Sequence, residues 1–193
     1  MIATCLALAA CADGGRQAFH FLWPDIDDPY VAACRQWSRS AALYDGINTE
    51  LTATATIKAR AWREAFATRY ANVYGLDEAE EAKILHDQLR AHEAGTDVIV
   101  AVASRKRDIT RLEPNTKNWR IQAVQGDIAH EPIEIRPLKR DNWPPEKLAA
   151  FFPHHTRWQK YYIIRFEPLA SGPVRLMISG PAGKVEFDWQ NYK

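Results

Sequence analysis

The 193-residue sequence is poor in cysteine, in net charge and in long apolar runs. Three cysteines are few, and a chain of this length buries its own core without disulfides. The 25 basic residues nearly cancel the 24 acidic ones, which argues against nucleic acid as a partner, because nucleic-acid binding requires a basic surface. No apolar stretch after the first residues approaches the roughly 20 residues of a membrane-spanning helix.

Motifs that carry chemistry are also missing. The sequence has no Gly-x-Ser-x-Gly nucleophile elbow and no glycine-rich phosphate loop. Its histidines, including the adjacent pair His154 and His155, match no metal-ligand spacing. Cys34 lies in an apolar stretch, where a cysteine usually behaves as a small hydrophobic residue. We therefore predict no catalytic residue, no metal and no cofactor.

The residues on either side of Cys11 form a distinctive pattern. Residues 1–10 are uncharged, Leu8-Ala9-Ala10 stands before Cys11, and small, polar residues follow it. This segment resembles a bacterial lipobox, which implies cleavage before Cys11 and acylation of its thiol. The Ala12 that follows, in place of aspartate, implies an outer-membrane location in a Gram-negative host. No basic residue precedes Arg16, so we expect either a start upstream of Met1 or poor export.

The resemblance divides the chain into three parts. Residues 1–10 are the expected signal segment, and residues 11–29 are the acylated cysteine and a flexible tether that contains two prolines. Residues 30–193 are expected to form a single β-rich domain with a helical hairpin at about residues 60–94. The whole resembles small Gram-negative lipoproteins to which no activity is assigned.

Most of the domain shows strand patterns. Threonine alternates with apolar residues over 50–57, which predicts a strand with Leu51, Ala53, Ala55 and Ile57 inward and the threonines outward. The turn at 45–48 would pair this strand with the segment before it. Residues 97–103 are rich in β-branched residues and almost continuously apolar, as in a central strand. Further strands are predicted at 119–125 and 133–137, joined as a hairpin, and at 160–167, 174–179 and 184–189.

Helices are predicted at three places. Apolar residues recur at helical spacing from Trp62 to Val73, and Gly75 supplies a C-terminal cap. Asp77 and Glu80 form a capping box for a second helix that buries Ile84, Leu85 and Leu89. The pair Pro144-Pro145 opens a short helix that ends near Phe151.

These elements predict an α+β, mainly β, fold: an antiparallel immunoglobulin-like β-sandwich with an inserted two-helix hairpin. An antiparallel barrel, or an open sheet packed on the two helices, is the alternative. Strands and helices do not alternate, which argues against a doubly wound sheet.

Arginine and aromatic residues, the types that anchor protein interfaces, indicate a binding surface at Arg105, Arg107, Trp158 and Tyr162. We therefore predict a non-enzymatic envelope interaction or structural module, bound to the membrane by lipid on Cys11 and facing the periplasm or the cell surface, with an envelope protein as its partner. The alternatives are an exported metal-dependent hydrolase that uses His154 or His155, and a carrier of a small apolar ligand.

Overall fold

Nine antiparallel strands form two sheets in this computed structural model, which describes residues 28–113 and 118–192. The strands are β1 (Ser38–Asp45), β2 (Asn48–Ile57), β3 (Thr96–Ala103), β4 (Arg120–Gln125), β5 (Ile128–His130), β6 (Glu134–Pro137), β7 (Lys160–Phe166), β8 (Gly172–Gly180) and β9 (Gly183–Tyr192). The helices are α1 (Pro29–Trp37), α2 (Arg60–Tyr74), α3 (Glu78–Ala94) and α4 (Pro145–Phe151), with a 3-10 helix at Arg107–Thr110.

The two sheets have the strand orders β1-β2-β3-β7-β6 and β5-β4-β8-β9, and every neighbouring pair is antiparallel. The predicted α+β, mainly antiparallel β class is therefore confirmed. The finer prediction of an immunoglobulin-like sandwich is not.

The five-stranded sheet lies between the four-stranded sheet and the helices, as two successive residues of β3 show. Their side chains point to opposite faces of the five-stranded sheet. The Thr96 hydroxyl lies 3.0 Å from the Tyr192 hydroxyl of β9, so this face packs on the four-stranded sheet. The Asp97 carboxylate accepts a hydrogen bond from Arg63 of α2, so the other face carries the helices. Both faces of β3 are buried, as its apolar sequence predicts.

The β1–β2 hairpin is confirmed, with Asp45 opposite Asn48 and Gly46 at a φ of 58° in the turn. The four apolar residues of β2 are buried as predicted. The threonine face differs from the prediction, because Thr56 is only 1% exposed and its hydroxyl lies 2.7 Å from that of Ser38. Cross-strand hydroxyl pairs allow this polar face to be covered.

The predicted hairpin between residues 119–125 and 133–137 is wrong. The turn at Gly126, with a φ of 56°, joins β4 to the short β5 instead. β6 pairs with β7 in the other sheet, where it is an edge strand. Pro137 ends β6, and proline is tolerated at such an edge because it has no N–H to donate.

The helical hairpin has the predicted ends. Gly75 adopts the left-handed conformation at the end of α2, and Asp77 and Glu80 form the capping box of α3. Ile84, Leu85 and Leu89 are half-buried rather than buried, and no residue of α3 is fully buried. α3 therefore lies at the periphery, on α2.

The described chain starts two residues before the expected domain boundary at 30. Pro29 is the first residue of α1, and the Asp28 carboxylate caps this helix by accepting from the Tyr30 amide at 2.8 Å. Asp28 also forms an ion pair with Arg69 at 2.9 Å. Proline is well placed in a first helical turn, so Pro29, one of the two prolines that suggested a tether, begins a helix, whereas Pro24 lies outside the described residues. Cys11 lies outside the described residues.

Gly180 and Gly183 close the predicted hairpin between β8 and β9. Gly180 has a second constraint: a Cβ atom there would collide with the Asn118 carbonyl oxygen and come within 2.9 Å of the Trp119 ring. The turn is thus packed against the start of β4.

A buried ion cluster joins the sheet to the helices. The Asp97 carboxylate accepts hydrogen bonds from Arg63 at 2.8 Å and from Arg165 at 2.7 Å, and Lys58 Nζ lies 3.9 Å away. Arg63 is fully buried, and it also donates to the Lys58 carbonyl and to the Gln88 side chain of α3. Burial alone would raise the pKa of Asp97, but the hydrogen bond from Arg165 and the charges of Lys58 and Arg63 hold it below its ordinary value. Burial lowers the pKa of Lys58 to about 7, assisted by the charge of Arg63.

Replacing Asp97 with alanine should reduce the free energy of unfolding by about 3–5 kcal/mol, because it leaves the buried Arg63 charge without its carboxylate partner. Asp188→Ala removes a carboxylate paired with Arg175 at 2.7 Å, but both side chains are about half exposed. That control should cost less than about 1 kcal/mol. Urea unfolding of the full chain measures both, and equal losses would contradict the assigned role of Asp97.

Candidate functional site

Two open clefts adjoin where β7 begins. The Trp158 cleft has a volume of about 800 Å³ and is lined by Thr49, Thr52, Ala103, Ser104, Arg105, Arg107, Thr110, Trp158 and Lys160. The Trp143 cleft has a volume of about 480 Å³ and is lined by Arg111, Glu113, Pro137, Leu138, Arg140, Trp143, Pro145, Leu148, His155, Arg157, Gln159, Lys160, Tyr161 and Tyr162. Lys160 lines both clefts.

Positive charge dominates both clefts, although the whole chain is nearly neutral. Six cationic side chains line them: Arg105, Arg107, Arg111, Arg140, Arg157 and Lys160. Among the described lining residues Glu113 is the single carboxylate. Clefts lined by charge of one sign concentrate the potential, so these two attract anions.

The structure brings three of the four predicted binding residues together. Arg105, Arg107 and Trp158 line the Trp158 cleft, and the Trp158 side chain is 71% exposed. Tyr162 is buried and lines the Trp143 cleft instead, where its hydroxyl donates to the Thr110 carbonyl at 2.9 Å. Burial, together with the charge of Glu113, raises the pKa of Tyr162 to about 12, so this phenol is neutral.

Arg157 and Trp158 form the wall between the clefts. The guanidinium carbon of Arg157 lies 4.5 Å from the centre of the Trp158 ring, in a cation–π contact. Arg157 lines the Trp143 cleft and Trp158 lines the Trp158 cleft, so each cleft presents one member of this pair to a ligand.

A chain of hydrogen bonds lies in the Trp143 cleft. His155 Nδ1 is 3.1 Å from the Tyr161 hydroxyl, which lies 2.9 Å from Gln159 Oε1. Gln159 Oε1 also accepts from the Thr156 amide at 2.9 Å. Burial lowers the pKa of His155 and raises that of Tyr161, which keeps both side chains neutral near pH 7.

The neighbouring His154 packs among aromatic rings. Its ring centre lies 5.9 Å from that of Phe152 and 6.4 Å from that of Tyr161. Burial, and the proximity of His155, lower the pKa of His154 to about 4.

The other candidate groups identified in the sequence lie apart from the clefts. Cys34 is buried in the core and burial raises the pKa of its thiol. Within residues 28–113 and 118–192, no three His, Cys, Asp or Glu side chains are close enough to hold a metal ion. No helix in those ranges is both long and apolar enough to cross a bilayer.

Several lining residues escape sequence reasoning. Arg140 and Trp143 come from the loop between β6 and α4, Lys160 is the first residue of β7, and only the fold brings them together. Two lining arginines do have a local signal: Arg157 stands next to Trp158, and Arg111 follows Arg105 and Arg107 in the same loop.

Comparison with known proteins adds little. No family model and no curated protein matches this chain. A crystal structure of a protein of unknown function from Burkholderia pseudomallei is similar over 90% of this chain and 88% of that chain, with 12% identity and a TM-score of 0.42. A likeness this distant carries no information on activity.

The low pKa of His154 predicts a loss of stability in acid. Between its ordinary pKa of 6.5 and its folded pKa of about 4, the unfolded chain binds the proton more tightly, so stability falls as pH falls through this window. One pKa unit corresponds to about 1.4 kcal/mol, which makes the full effect about 3 kcal/mol. Urea unfolding between pH 7 and pH 4 should show a smaller loss for His154→Phe than for the wild type.

The matched control is His86→Phe, whose ring is exposed on α3. It should lose as much stability between pH 7 and pH 4 as the wild type, because it keeps the buried His154. The same profile for His154→Phe and the wild type would contradict the prediction.

Proposed function

We propose that the protein is a membrane-tethered interaction module whose Trp158 cleft binds an acidic segment of a partner protein. The observation that carries the proposal is the exposed Trp158 indole beside Arg105, Arg107 and Lys160, with no carboxylate among the described residues that line this cleft. Tryptophan and arginine supply much of the binding energy of protein interfaces. Complementary charge adds specificity and speeds association.

The shape of the cleft supports a chain segment as the ligand. Its walls come from the β1–β2 hairpin, the end of β3, the 3-10 helix and the start of β7. The cleft is open, and Trp158, the one aromatic side chain among its described lining residues, is exposed; aromatic residues are enriched in protein interfaces.

The tether is the second part of the proposal. Acylation of Cys11 would hold the protein at the cell envelope, with the outer membrane, facing the periplasm or the cell surface, as the proposed location. The 16 residues from 12 to 27 separate Cys11 from the cap of α1. Fully extended, they reach at most about 55 Å, which leaves the cleft access to partners near the membrane.

Three finer assignments stay predictions. The two antiparallel sheets with a shared core support an immunoglobulin-like sandwich. A hydrolase that uses His154 or His155, and a carrier of an apolar ligand, are the alternative functions.

Reversing charge in the Trp158 cleft should weaken binding of a decaglutamate peptide. In the full chain, Arg105→Glu with Arg107→Glu, two residues that line this cleft and not the Trp143 cleft, should raise the dissociation constant at least about tenfold by calorimetry, because two attractive charges become repulsive. Wild-type affinity should also fall between about 50 mM and about 300 mM salt.

The control is Lys83→Glu with Arg90→Glu, which changes the net charge equally but on the exposed face of α3. An equal loss in both double variants would show that only net charge matters and would refute the assigned cleft. No binding by the wild type would refute the function itself.

Lipid attachment predicts a specific effect of Cys11→Ser. In a Gram-negative host, the full chain should incorporate labelled palmitate and sediment with membranes, whereas Cys11→Ser should do neither. Cys5→Ser, which lies in the expected signal segment, should behave as the wild type. Undiminished label in Cys11→Ser would contradict the lipobox interpretation.

A further inference from the structure

The Trp143 cleft differs from the Trp158 cleft in size and in the side chains it presents. Its volume of about 480 Å³ falls among those of small-molecule pockets, which span about 300–1,000 Å³. Arg111, Arg140 and Arg157 line it together with the carboxylate of Glu113. The excess of positive charge favours a ligand with a negatively charged group.

The hydrogen bonds in this cleft fix the tautomer of His155. The Thr156 amide can only donate, so the atom of Gln159 that faces it is the acceptor oxygen. Tyr161 has one hydroxyl proton, which it donates to the same oxygen at 2.9 Å. His155 Nδ1, 3.1 Å from the Tyr161 oxygen, must therefore carry the proton of that contact.

A neutral imidazole protonated on Nδ1 has a lone pair on Nε2. His155 lines the cleft, so a ligand group that meets this nitrogen must be a hydrogen-bond donor. An ammonium group would be repelled by Arg111, Arg157 and Lys160, which line the same cleft. A hydroxyl group is a neutral donor that meets both conditions.

Apolar side chains complete the site. Leu138, Trp143 and Leu148 line the cleft from the β6–α4 segment. They offer a surface for C–H groups, such as those on the face of a sugar ring.

We propose that the Trp143 cleft is a second binding site, for a small acidic sugar that carries a carboxylate or a phosphate together with ring hydroxyl groups. Arg140 recognises the anionic group, and His155 accepts from a hydroxyl. Tyr161 acts as a positioning residue, because its hydroxyl fixes the His155 tautomer. Binding here does not require the Trp158 cleft, so the two proposals can fail separately.

Four ligands test the proposal by calorimetry on the full chain. Glucuronate and glucose 6-phosphate carry an anion and hydroxyl groups, glucose lacks the anion, and cyclohexanecarboxylate keeps the ring and the anion but lacks the hydroxyls. One or both acidic sugars should bind at least about tenfold more tightly than the other two ligands, and the preferred one identifies the anion. Equal binding of glucose would overturn the anionic ligand, and equal binding of cyclohexanecarboxylate would overturn the hydroxyl contact.

Variants separate the hydroxyl contact at His155 from the anion contact at Arg140. His155→Phe and Tyr161→Phe should weaken binding of the preferred acidic sugar about tenfold and leave cyclohexanecarboxylate unchanged. Arg140→Gln should weaken both ligands. His86→Phe, on α3, is the control and should change neither. Wild-type affinity for the acidic sugar in His155→Phe would overturn the assigned acceptor.

The tautomer has a readout that does not depend on binding. Proton–nitrogen correlation spectra of the full chain should show the His155 proton on Nδ1, and Tyr161→Phe should populate the other tautomer. A proton on Nε2 in the wild type would refute the site even if a sugar binds.

Discussion

The carboxylate of Asp97 is the constraint on which the arrangement of sheet and helices depends. One buried acid faces Arg63, Arg165 and Lys58, so α2, β7 and the end of β2 meet at a single side chain. Arg63 extends this contact to α3 through Gln88. Buried charges are tolerated only when they are paired and hydrogen-bonded, so these elements must keep their positions together. The helical hairpin is therefore integrated into the fold, although the sequence places it as an insertion between strands.

β7 connects this ion cluster to the clefts. Its C-terminal half carries Arg165 in the cluster, and its first residue, Lys160, lines both clefts. Tyr161 and Tyr162 point to opposite faces of the strand, yet both line the Trp143 cleft. β6 ends at Pro137, opposite Tyr162, and the chain that follows it lines the cleft with Leu138, Arg140 and Trp143. The Trp143 cleft therefore forms between the start of β7 and the segment that follows β6.

Local patterns in the sequence predict most elements, and they fail where pairing is decided by distant residues. The alternation of residues 50–57, the apolar run at 97–103 and the caps at Gly75 and Asp77 each contain their own signal. The sequence patterns of β4 and β6 both predict a strand, but neither pattern indicates which of the two sheets the strand joins. For the same reason the sequence indicates Arg105, Arg107 and Trp158 as binding residues, whereas the cations of the Trp143 cleft come from separate segments that only the fold brings together.

The packing of Gly180 has a consequence for the way the second sheet is assembled. In the sequence, Gly180 is explained by the turn between β8 and β9. In the structure, Asn118 and Trp119 already occupy the space that a side chain at this position would need. Any side chain there would push the last hairpin away from the strand that follows residue 118. The smallest amino acid thus acts as a spacer that sets how closely two distant parts of the polypeptide approach. Alanine, normally a mild replacement, would be disruptive at this point.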